Sequence, residues 1–198
     1  AVMLNPYTRD GEYARFFEGR NNIDFSNDFM VIENEELKRK PELHAVVNIL
    51  LMYQITGQMY LSRDRKKVLF IDELKQQLGD IGSDDPVKAA VVEEAARRAR
   101  KYGGALGTAT QSADDFYGSA QMEADFNCSD WVFLLRQKPE SIEMLDRKGR
   151  LSMDEPKKRL LNSLRTEPGV FSEVYISSPV GEGVARNILD PATHLLFS

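Results

Sequence analysis

The sequence predicts an α/β fold with a largely parallel sheet flanked by helices, on three observations. The first is a short apolar run, Val68 to Ile71, led in by Lys66-Lys67 and closed by two adjacent carboxylates, Asp72 and Glu73. An apolar run without polar alternation is the pattern of a strand buried on both faces. The second is the alternation of strand-like and helix-like segments along the chain, which indicates a parallel sheet covered on both sides. The third is composition. At 198 residues, 42% hydrophobic and 29% charged, the chain has enough apolar content for the core of one domain spanning 1–198.

The elements follow in order. Residues 3 to 22 read as loop, turn and short helix, with Asp10-Gly11 as a turn signal. Asp28 to Glu33 reads as a short strand. Pro41 opens a long helix that runs to about Ser62, since proline is favoured in the first helical turn. That helix is apolar almost all round (Leu43, Val46, Val47, Ile49, Leu50, Leu51), so it is expected to be buried. The Asp-Glu strand occupies 67 to 72. An acidic loop spans Gly79 to Pro86. A helix from Pro86 to Tyr102 stops at Gly103-Gly104, a helix-end signal. Ala105 to Thr110 and Trp131 to Arg136 read as strands. Met153 to Leu164 reads as a helix introduced by Ser152-x-x-Glu155, a capping box. Val170 to Ser177 and the final residues read as strands. There are no repeats and no low-complexity segments.

Charge and residue usage exclude several classes. A net charge of −5 gives no bulk electrostatic case for nucleic acid. The longest apolar stretch, Val46 to Met52, is interrupted by Asn48, so no membrane span is expected. A single cysteine, Cys128, rules out an internal disulfide and suits a reducing compartment. It reads as a small packing residue. His44 and His194 lie far apart, lack metal-ligand spacing and read as structural.

The chemistry is carried by residues at strand ends. Strands of a parallel sheet deliver functional groups at their C-terminal edge. In nucleotide hydrolases an acid there holds Mg²⁺, and a second can act as general base toward the attacking water. Asp72 and Glu73 fit those two roles. Thr110-Gln111 ends the next strand, where it either senses a γ-phosphate and its water or caps the following helix. The upstream Asp-Glu strand favours sensing. On the 86–102 helix, Arg97 and Arg98 each have a glutamate four residues earlier, Glu93 and Glu94. Arg100 has no such partner, so it is either an arginine finger reaching a neighbouring subunit's anion or a helix-end cation complementing the dipole. Arg136-Gln137-Lys138 follows another strand and either contacts phosphate or a neighbouring subunit, or forms a solvated strand end before Pro139. Lys157, Lys158 and Arg159 read as a solvated helical face.

A nucleotide hydrolase of this type also needs a phosphate cradle, GxxxxGK[ST]. No glycine in the chain is followed by lysine. The chain begins at Ala1 and ends on an apolar run. The expectation is a fragment carrying the second half of a nucleotide-binding fold, with the phosphate loop upstream.

KKVLFIDE, EEAARRARKYGGALGTATQSADDF and WVFLLRQK together resemble the C-terminal half of the conjugative, type IV secretion ATPases. They are most similar to the pilus-assembly ATPases of F-type conjugation systems. The YTRDGEYARFFEG opening and the long helix fit as well, so the resemblance covers nearly the whole chain. It implies a RecA-like fold, a hexamer, ATP and Mg²⁺ as ligands of the parent, and hydrolysis that energises pilus assembly and substrate transfer. It also implies a cytoplasmic protein peripheral at the bacterial inner membrane, partnered by secretion components there. By motif, Asp72 and Glu73 fall on the Mg²⁺-holding and water-activating acids, and Gln111 on the phosphate-sensing glutamine. Arg100 and Lys101 fall on the Arg-Lys motif, and Arg136 and Gln137 on the last motif. The missing phosphate loop leaves the fragment itself expected to be inactive. The alternative is a non-catalytic docking module of the same shape that binds secretion partners. A DNA translocase of similar fold is disfavoured by the acidic balance.

Overall fold

The computed structural model describes residues 2–20, 23–60, 63–74, 99–117, 120–147, 149 and 153–196. The chain forms two compact units, Ala1–Ser62 and Arg63–Ser198.

In the first unit a 3-10 turn, Val2–Tyr7, leads through the Asp10-Gly11 turn to a short helix, α1 (Ala14–Phe17). Tyr7 holds these pieces together, its ring 5.5 Å from both Tyr13 and Phe17. The expected strand at Asp28 to Glu33 does not form. Strand geometry needs a partner ladder, and no described strand pairs with this segment. Phe29 and Val31 are exposed instead. A 3-10 turn, Glu35–Arg39, precedes α2 (Pro41–Tyr60), which opens on proline as expected. Among the described α2 residues only Leu43, His44 and Thr56 are buried, while Leu50 and Tyr53 are exposed. The helix is therefore not buried all round as its composition suggests. His44 is structural, its ring nitrogen Nε2 lying 3.3 Å from Asn48 Nδ2.

The second unit is α/β. β1 (Lys67–Ile71) and β2 (Gly104–Thr108) pair in parallel, with Lys67 opposite Gly104 and Ile71 opposite Thr108. Burial along β1 alternates, with Val68 73% and Phe70 65% exposed. The expectation of a strand buried on both faces is thus corrected to one covered face. The Phe70 ring lies across β2 where a side chain on Gly107 would stand, 2.7 Å from an added Cβ, so a larger residue there would have to push that ring aside. Of the expected 86–102 helix, only its end lies within the described residues. A 3-10 turn, Arg100–Tyr102, stops at Gly103, whose φ of +69° supplies the left-handed residue that ends helical structure.

β3 (Val132–Leu134), β4 (Thr166–Glu167), β5 (Phe171–Ser178) and β6 (Gly181–Asn187) form a second sheet. β5 is central, and every pairing is antiparallel. Sequence alternation pointed to the parallel pair but not to this sheet. Two helices were not anticipated either: α3 (Ala120–Cys128) and α4 (Pro139–Arg147). Cys128, at the end of α3, is exposed rather than a packing residue. α5 (Glu155–Ser163) starts two residues later than expected. Its cap is Asp154, whose Oδ1 accepts from Lys157 N at 2.8 Å, whereas Ser152 lies outside the described residues. The final residues form a helix, α6 (Pro191–Leu196), rather than a strand. Asp190 Oδ1 accepts from the backbone of Ala192 and Thr193 there, and the Asp-Pro pair is a helix-start signal.

The core of this unit gathers Leu134, Tyr175, Ile142, Leu145, Leu161 and Leu164 with Ala113. α4 and α5 thus pack on the antiparallel sheet, and Ala113 carries the β2 outlet into the same core. Lys157 is not on a solvated face. Its side chain is 14% exposed and bonds Glu182 on β6 at 2.8 Å. Among the described residues no helix is long and apolar enough to cross a membrane.

Candidate functional site

β1 and β2 run side by side, so their C-terminal ends deliver residues to one edge. The ladder is extended past the strands by Ala109 N to Ile71 O and Leu74 N to Ala109 O, both 3.0 Å. Leu74 is almost fully buried and anchors the turn that carries Asp72 and Glu73. Glu73 has a φ of +49°, left-handed and unusual for a side chain with Cβ. Its N–H donates to Asp72 Oδ1 at 2.9 Å, and that local bond supports the strained backbone. Nothing in the sequence signals this geometry, since the turn residue is not glycine.

Across the edge, Gln111 Nε2 donates to Glu73 Oε1 at 3.0 Å. A carboxylate pair from β1 and an amide from β2 therefore meet at one solvent-exposed point. The donor set is oxygen-rich and hard, which suits Mg²⁺ held by one or two carboxylates and completed by phosphate and water. No group of three or more metal-ligating side chains occurs among the described residues. By the hard oxygens of Asp72 and Glu73, the residues fit Mg²⁺ whose remaining ligands would be phosphate and water.

Gln137 reaches the same region by another route. It follows β3, and its Oε1 accepts from Ala113 N at 3.1 Å, two residues beyond Gln111. Its amide nitrogen donates to Leu135 O at 3.3 Å. The outlets of β2 and β3 are thus joined by this side chain. Arg136 is exposed, and no described contact joins it to Asp72, Glu73 or Gln111.

Arg100 and Lys101 are not brought to this edge. They precede β2, and Lys67 N donates to Gly103 O at the opposite end of the pair. The five-residue β2 intervenes, roughly 17 Å at about 3.3 Å per residue. Lys101 Nζ lies 5.8 Å from the Tyr102 ring centroid.

Sequence reading missed the side chains that hold the Gln111 segment. Ser141 Oγ donates to Asp114 Oδ2 at 2.7 Å, and Ser112 Oγ lies 3.4 Å from Ser141 Oγ. Asp114 follows Gln111 closely, and Pro139 announces the helix that bears Ser141, so both signals stood in the sequence.

Residues 1–186 match the family model of the TraG P-loop domain. The solved structure of VirB4 of Thermoanaerobacter pseudethanolicus matches the fold with a TM-score of 0.76 at 18% sequence identity, over 96% of this chain. This chain spans about half of that one, 49% of its length. No curated protein matches the chain. Matched by that family model over nearly its whole length, and with an α/β fold of the VirB4 kind, the chain belongs to the TraG P-loop domain family.

Proposed function

We propose that this chain is the C-terminal part of a hexameric ATPase that energises pilus assembly and substrate transfer in conjugative type IV secretion. The observation that carries the reading is the Gln111–Glu73 hydrogen bond beside Asp72, at the C-terminal edge of a parallel strand pair. Glu73 is the general base: its carboxylate takes a proton from the attacking water. Gln111 orients that water and reports the γ-phosphate through its amide N–H. Asp72 would hold Mg²⁺, which when bound neutralises charge on the phosphate oxygens. The phosphate cradle lies outside this chain, whose sequence has no GxxxxGK[ST]. Arg100 and Lys101, at the far end of β2, act on a neighbouring subunit's site. The place of work is the cytoplasmic face of the bacterial inner membrane, beside secretion components docked there.

The test is Glu73→Gln in the full-length protein. The amide keeps the shape and an acceptor for Gln111 but cannot take the proton, so turnover should vanish while ATP binding persists. Turnover near the wild-type rate would refute Glu73 as the base, whereas a full-length protein that turns over no ATP at all would leave a docking module of the same fold.

A further inference from the structure

Gln111 projects from a segment that no sheet holds. The β1–β2 ladder ends at Ala109 and Leu74. Beyond it, Thr110 Oγ1 donates to Ser112 O at 3.0 Å, and Ser112 N donates to Asp115 Oδ2 at 3.3 Å. These bonds stay inside the segment and move with it. Among the described contacts, beside the Gln111–Glu73 bond, the segment is held from outside by Gln137 Oε1 on Ala113 N and by Ser141 on Asp114 and Ser112.

The Ser141 anchor closes on itself. Ser141 is 3% exposed and spends its single hydroxyl proton on Asp114 Oδ2 at 2.7 Å. A serine has one O–H to give. In the 3.4 Å contact between the two hydroxyls, Ser112 is therefore the donor and Ser141 the acceptor. Ser112 Oγ in turn accepts from Asp114 N at 3.3 Å. The result is a ring: Asp114 N–H to Ser112, Ser112 to Ser141, Ser141 back to the Asp114 carboxylate. Bonds in such a ring polarise one another. The other carboxylate oxygen, Asp114 Oδ1, is buried with no hydrogen-bond partner. The described anchor of this half-buried acid is thus the Ser141 hydroxyl, on a helix whose Ile142 and Leu145 are fixed in the core.

We infer that Asp114 and Ser141 are positioning residues for Gln111, locking the segment that carries its amide to α4. The inference rests on the phosphate-sensing role proposed for Gln111. Without the Ser141 hydroxyl, this half-buried carboxylate loses its donor, and the segment shifts to let water reach it. Gln111 lies three residues upstream and moves with it.

The test is a double-mutant cycle in the full-length protein that carries this chain, with Ser141→Ala, Gln111→Ala and both together. ATP turnover, KM and thermal unfolding are read for each. Ser141→Ala should lower kcat on the order of 10- to 10²-fold, the loss that a displacement of about 1 Å brings to a reacting group. KM for ATP should stay at the wild-type value. The double variant should be no slower than Gln111→Ala alone, because a misplaced side chain that is already absent costs nothing further. A merely structural serine would instead add its own loss to that of Gln111→Ala, and that outcome overturns the inference. So does wild-type kcat in Ser141→Ala while Gln111→Ala is slow. If Gln111→Ala itself turns over normally, the sensing role fails, a different result. Should Ser141→Ala not fold, Asp114→Ala removes the acceptor end of the same anchor and leaves no carboxylate stripped of its donor. It must lower kcat in the same non-additive way, and wild-type kcat there overturns the inference equally.

Discussion

Removing the Glu182 carboxylate should destabilise the second unit measurably, and its structure gives the size. Glu182 Oε2 receives two donors, Lys157 Nζ at 2.8 Å and the Tyr175 hydroxyl in a very short bond. Tyr175 is in the core, and the Lys157 side chain is 14% exposed. Glu182→Ala therefore leaves a largely desolvated ammonium and a buried phenol without this acceptor. A charge-assisted hydrogen bond contributes about 1.5–3 kcal/mol, and an orphaned buried donor costs about 1–3 kcal/mol. The Glu182 side chain is 46% exposed, so water re-enters and returns part of this loss. The net expectation is about 2 kcal/mol, or a Tm lower by roughly 4–8 °C for a unit of this size. The hydrogen bond from Lys157, then that from Tyr175, lowers the Glu182 pKa. A lowered carboxylate pKa contributes stability above the unfolded value of about 4.3 and loses it as pH falls through the folded value. The gap between wild type and Glu182→Ala should therefore be full at pH 7 and narrow below about pH 4. Burial lowers the Lys157 pKa, but the hydrogen bond it donates to Glu182 and its electrostatic interactions with Tyr175 and Glu182 outweigh it, and the net shift is upward. That contribution is present below the unfolded value of about 10.4 and fades only above it. Thermal unfolding followed by circular dichroism at pH 7 and pH 3.5 reads both effects. An unchanged Tm at pH 7, or a gap as wide at pH 3.5, would refute the assignment.

The purified 198-residue chain should release no phosphate from ATP above an Asp72→Ala control, because amides that cradle the phosphates are required and GxxxxGK[ST] is absent. Steady release above that control would sink the placement of the cradle outside this chain. In the full-length protein, Arg100→Ala should reduce turnover on the order of 10³-fold, the scale of a trans arginine finger. Arg97→Ala should be mild, since its spacing from Glu93 in the sequence suits only an exposed i, i+4 pair. Mixing Arg100→Ala subunits with subunits unable to bind ATP should restore some activity; equal mild effects, or no rescue, would return Arg100 to a helix-end role.

What was legible in the sequence follows from which forces are local. The β1 run and its acids, the Pro41 helix start and the Gly103 stop are written in adjacent residues, and they formed where expected. The segment from Asp28 to Glu33 has strand-like residues, but a strand is stabilised by the ladder it joins, and that ladder is non-local. The antiparallel sheet was hidden for the same reason. β5 reads as a strand in either orientation, and its direction relative to β3 is fixed by α4 and α5, which fill the connection between them. α3 and α4 were passed over although Pro139 marks the start of α4. Their apolar residues are few and spaced at the helical period, as in Ile142 and Leu145, so no continuous run drew notice.

At the candidate site, residue types were legible and relations were not. Asp72, Glu73 and Gln111 could be picked because strand ends of a parallel pair share an edge, and the Gln111–Glu73 bond is the contact that logic requires. The left-handed turn at Glu73 could not be picked, because it is held by Leu74 in the interior and by the Asp72 carboxylate rather than by a glycine. Gln137 shows the limit most sharply. Its position after a strand suggested a phosphate ligand, yet both ends of its amide are bonded to backbone, Ala113 N on one side and Leu135 O on the other. A side chain so engaged holds the segment that follows Gln111. The same holds for Asp114 and Ser141. The chemistry of this edge therefore depends on a few acids and amides that sequence can name, and on a hydrogen-bonded frame behind them that becomes visible only when β2, β3 and α4 are brought together.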